Sequence, residues 1–92
     1  MRIADFVTRL TSTYGFVYSF NLDKASKVIV LVREMDNVIV HVHIFTESRN
    51  IYITHILRVP GLKDITERFV SVTKAYSYIK NKVFESDYGE DY

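Results

Sequence analysis

The stretch VIVHVHIF, Val38 to Phe45, sets two histidines two residues apart in a run of valine, isoleucine and phenylalanine. Side chains on a strand alternate between faces, so His41 and His43 point to one side of a sheet. Neutral imidazole suits zinc, copper or nickel, and H-x-H on a strand supplies two ligands. Two are too few for a closed site. The chain has no cysteine, and no nearby acid completes a set, so no metal or other cofactor is expected.

Nucleophilic chemistry has less support. Serine, histidine and aspartate all occur, but no spacing links a nucleophile to a base. Three glycines and no G-x-x-x-x-G-K exclude a phosphate-cradling P-loop. The reading is therefore non-enzymatic, and the histidines must be understood through the elements that carry them.

Those elements follow from hydrophobic spacing. Ile3, Phe6, Val7 and Leu10 define one face of a helix over about residues 2–13, with Gly15 closing it in the left-handed region. Tyr14, Phe16, Tyr18 and Phe20 alternate as the aromatic face of a first strand, and NLDKAS is a polar connection. KVIVLVRE is a central strand, apolar on both faces. Asp36-Asn37 reads as a two-residue hairpin turn into a third strand, NVIVHVHIFT. ESRN, Glu47–Asn50, then leads to a fourth strand, IYITHILRV, which Pro60-Gly61 ends.

Leu62, Ile65, Phe69, Val72, Tyr76, Ile79 and Val83 are spaced alternately three and four apart. Asp64 and Glu67 near the start, with Lys80 and Lys82 near the end, fit a helix dipole over about 62–84. The expected class is α+β: an α-β-β-β-β-α chain forming a four-stranded antiparallel meander, both helices packed on one face. Residues 1–84 make one domain. Residues 85–92, ESDYGEDY, make an acidic, mobile tail.

The hairpins assign the faces. A two-residue turn at Asp36-Asn37 pairs Ile29 with Ile44, Leu31 with Val42 and Arg33 with Val40. Closing the next hairpin at Glu47–Asn50 pairs Ile53 with Ile44, His55 with Val42 and Leu57 with Val40. The helix face then holds His55. A one-residue slip would bring His55 round to His41 and His43, but it would also turn Ile53 and Leu57 away from the helices.

The opposite face holds Val28, Val30, Val32, Ile39, His41, His43, Phe45, Tyr52 and Ile56, with Thr54 and Arg58. Such an apolar patch marks an interaction site. Its simplest occupant is a second copy, sheet against sheet, with the histidines as polar members of the interface. A long final helix offers a second seam, because its end overhangs the sheet and Tyr76, Ile79, Val83 and Phe84 must then meet the first helix or a partner helix.

The net charge of +1 conceals an asymmetry. Residues 1–84 hold all 12 Lys and Arg against 7 of the 11 Asp and Glu, a net of +5, and the tail carries −4. An alternative function is nucleic-acid binding through Lys63, Lys74, Tyr78 and Lys82 on the outer face of the last helix. No apolar run approaches the ~18–20 residues of a membrane span, and MRIADFVTRL is not a signal peptide, so an intracellular, cytoplasmic home is expected. The absence of glutamine and cysteine matches a thermophile composition. The overall expectation is a homodimeric interaction module that also meets an unidentified protein, as a virus- or plasmid-encoded adaptor or inhibitor would.

Overall fold

The computed structural model describes residues 1–19 and 27–84. Phe20, the NLDKAS connection and the acidic tail lie outside the described residues. The elements are α1 (Ile3–Thr13), β1 (Val17–Tyr18), β2 (Val28–Glu34), β3 (Val38–Phe45), β4 (Ile51–Leu57), β5 (Ile65–Phe69) and α2 (Val72–Tyr78), which a π-helical turn, Ile79–Phe84, continues. The class is α+β. The sheet is an antiparallel meander in the order β1-β2-β3-β4-β5.

The sheet has five strands where four are expected, because residues 65–69 form β5 instead of the start of a long helix. Pro60 and Gly61 occupy the centre of a tight reversal. The Leu62 N–H donates to the Val59 carbonyl at 3.2 Å, and Gly61 takes φ +88°. Proline followed by a left-handed glycine is the pattern of a type II turn. The chain therefore doubles back on β4, pairing Phe69 with Ile51, Glu67 with Ile53 and Ile65 with His55. This covers an edge that β4 would otherwise expose along its full length. The helix starts after Ser71, whose hydroxyl accepts from the Lys74 N–H at 3.2 Å. That contact is an N-cap.

One face of the sheet builds the core. Leu31, Val40, Val42, Ile44, Ile51 and Ile53 are fully buried together with Phe6 and Leu10 of α1, and with Ala75 and Ile79. Burial of each large apolar side chain contributes about 1.5–3 kcal/mol. Gly15, at φ +71°, ends α1 as expected, and the Phe16 N–H reaches back to the Leu10 carbonyl at 3.0 Å.

The first strand is shorter than the alternating aromatics suggest. Tyr14 and Phe16 serve the end of the last helix instead. The Tyr14 ring stacks on Phe84 with centroids 4.6 Å apart, and Phe16 meets the same ring edge-on at 6.1 Å. Tyr76, Ile79, Val83 and Phe84 thus pack within the chain, so the expected second seam is closed. Among the described residues, no helix is long and apolar enough to cross a membrane.

Candidate interaction face

The register settles which side chains share a face. β2 and β3 pair as the Asp36-Asn37 turn requires, with Ile29 opposite Ile44, Leu31 opposite Val42 and Arg33 opposite Val40. β3 and β4 pair two residues away from the expected register: Ile51 opposes Ile44, Ile53 opposes Val42, and His55 opposes Val40. The cause lies at Thr46. Its N–H and its hydroxyl both donate to the Lys27 carbonyl, at 3.1 and 3.0 Å, so the chain leaves the β3–β4 ladder one residue early. Phe45 then pairs with Asn50, and the loop is Thr46–Arg49, with Arg49 at φ +65°. A shift of two preserves every face, because strand periodicity is two.

The face away from the core is laid out in rows. Val28 stands opposite Phe45. Val30, His43, Tyr52 and Arg68 follow one another across β2 to β5, as do Val32, His41, Thr54 and Thr66. Glu34, Ile39 and Ile56 form the last row. Val28, Val30, Val32, Ile39, His41, His43, Phe45, Tyr52 and Ile56 are all half-buried, shielded by neighbours in the sheet. Val17, beside Val32, is 62% exposed.

Polar contacts cluster at the margins. Arg58 reaches Glu34 at 3.0 Å beyond the Ile39–Ile56 row. Toward β5, the Thr54 and Thr66 hydroxyls lie 3.1 Å apart. At the opposite end, Phe45 and Tyr52 meet edge to face with centroids 5.6 Å apart. The His41 and His43 rings occupy the middle, 6.0 Å apart and tilted by 33°. Burial, and then the neighbouring His41, hold the His43 imidazole below its ordinary value near 6.5.

His55 belongs to the other side. Its Nε2 is buried and has no hydrogen-bond partner among the described residues. Its ring lies 5.8 Å from that of Tyr78. Burial lowers its pKa, and the Glu67 carboxylate partly opposes the shift. It borders a cavity of about 320 Å³ lined by Met35, Val38, Val40, Leu57 and Val83 among others. Among the described residues, no three His, Cys, Asp or Glu side chains gather as a metal site.

The residues expected on one basic helix face are divided. Lys63 precedes β5 and lies off the helix, while Lys74 belongs to α2 and Lys82 to the π-helical turn. The Tyr78 ring packs 5.1 Å from Phe69 and turns inward toward His55. Val17, Thr66 and Arg68 join the sheet face without having been anticipated. ITERF itself gave no clean alternation, because Glu67 shares the face of Ile65 and Phe69, so Pro60-Gly61 as a reversal was the signal that could have found the last two. No family model, curated protein or solved structure matches this chain.

Proposed function

We propose that this chain is a non-enzymatic interaction module that pairs with a second copy through the helix-free face of its sheet. The observation that carries the reading is the composition of that face. Val28, Val30, Val32, Ile39, Phe45, Tyr52 and Ile56 lie together on it, and no other described element covers them. The strands hold 2, 7, 8, 7 and 5 residues, and at about 3.4 by 4.8 Å per residue they give a footprint of roughly 470 Å² per copy. Two such faces give roughly 950 Å² in total, close to the about 1,000 Å² of the smallest biological interfaces. Arg58 with Glu34, and Thr54 with Thr66, lie at two of its margins, as polar groups do at the rim of an interface, while His41 and His43 stand between the valines and Tyr52 at its middle.

In the dimer, the helices of both copies point outward. They and the two β5 edges are left for a protein target, where Leu62, Ile65 and Val70 are 56%, 48% and 70% exposed. The module thus acts as an adaptor or inhibitor that presents two equivalent surfaces. Light scattering on the Val30→Asp variant tests the pairing. The variant is expected to elute as a folded monomer while the wild type elutes as a dimer. A wild-type monomer would refute the reading.

A further inference from the structure

We infer that pairing of two copies completes a divalent-metal site, with His41 and His43 of each chain as its four ligands and Zn2+ as the ion of best fit. The inference rests on the face-to-face dimer proposed above. One copy supplies only two ligands, whereas a closed zinc site takes four nitrogen or sulfur donors. A twofold axis supplies the other two without any further residue.

The position of the pair favours this. β3 is the middle strand of five, and His41 and His43 are the fourth and sixth of its eight residues. They therefore lie near the centre of the face in both directions. Whether the two β3 strands run parallel or antiparallel, centring one face on the other brings four imidazoles together. Stacked sheets stand about 10 Å apart, and an imidazole reaches roughly half that distance from its backbone.

The spacing is also compatible. With Zn–N near 2.1 Å, a ring centre stands about 3.2 Å from the ion, so tetrahedral ligands put ring centres about 5.3 Å apart. The observed separation is 6.0 Å. A small side-chain rotation closes the difference. Ligating histidines also need a partner for the second ring N–H. Thr54 pairs with His41 in the register, and its hydroxyl, 3.1 Å from that of Thr66, keeps acceptor capacity for such a partner. The flanking Val30 and Val32 keep the surroundings apolar and limit water access.

The test is a zinc titration by calorimetry on chelator-stripped wild type and on a His41→Thr/His43→Thr double variant, with sedimentation in parallel. Threonine favours strands, and His55 remains in both proteins as a reporter of adventitious imidazole binding. The expected result is one Zn2+ per two wild-type chains and affinity at least ~100-fold weaker in the variant. A wild-type dimer that takes up no zinc, or takes it up as well as the variant does, overturns the site and leaves the dimer standing. A monomer with and without zinc overturns both.

Discussion

Val40 and His55 face one another across β3 and β4, so the third histidine of the chain lies on the core side of the sheet while His41 and His43 lie on the other. The three imidazoles cannot meet within one molecule. The chemistry open to the His41–His43 pair depends on what covers their face. His55 has a separate role, at the edge of the core beside Tyr78 and Glu67.

That placement makes stability depend on pH. Burial holds the folded His55 pKa below its ordinary value near 6.5. Above 6.5 the ring is neutral in both folded and unfolded chains, and the contribution is fully present. As pH falls through that value, the unfolded chain takes up the proton first and stability is lost, until the pH passes the folded pKa. Urea midpoints measured from neutral to mildly acidic pH should therefore fall, and His55→Leu should flatten the slope. Glu67→Gln should steepen it, because the carboxylate favours the charged ring.

The left-handed backbone at Gly61 makes the sign of one substitution informative about the reversal before β5. Nothing lies within 4 Å of a Cβ added there, so the effect is purely one of backbone conformation. At φ +88°, alanine should cost about 1–2 kcal/mol. At a negative φ, the same change would stabilise by about 0.4–1 kcal/mol. Chemical denaturation of Gly61→Ala reads the difference directly.

Leu31 and Tyr18 are cross-strand partners on the same face, yet their exposures are 0% and 67%. The core thus ends between β2 and β1. Leu31→Ala should lower unfolding free energy by about 2–5 kcal/mol. Tyr18→Ala should change it by about 0.5 kcal/mol or less. Comparable losses at both positions would contradict this boundary of the core.

The sheet's inner and outer faces were legible because His41 and His43 break the apolar run Val38 to Phe45 at alternate positions and Asp36-Asn37 defines one hairpin. The second hairpin was legible in face but not in register. Nothing in ESRN shows that Thr46 will bond the Lys27 carbonyl, a contact 19 residues away in sequence. β5 was misread for a geometric reason. Ile65 and Phe69 are four apart, a spacing that puts both on one face of a helix and equally on one face of a strand. Asp64 and Glu67 then resemble a helical first turn. The stronger local signals were Pro60-Gly61 as a reversal and Ser71 as the cap. The need to cover the outer edge of β4 is a tertiary demand that spacing within one segment does not record.

The central claim is that the helix-free face is covered by a second copy. Sedimentation equilibrium of the wild-type chain at micromolar concentration and neutral pH, with chelator present, measures it most directly. The account predicts a mass of about twice the 10.8 kDa of one chain, as expected for a symmetric dimer. A mass of 10.8 kDa across the whole concentration range would contradict it.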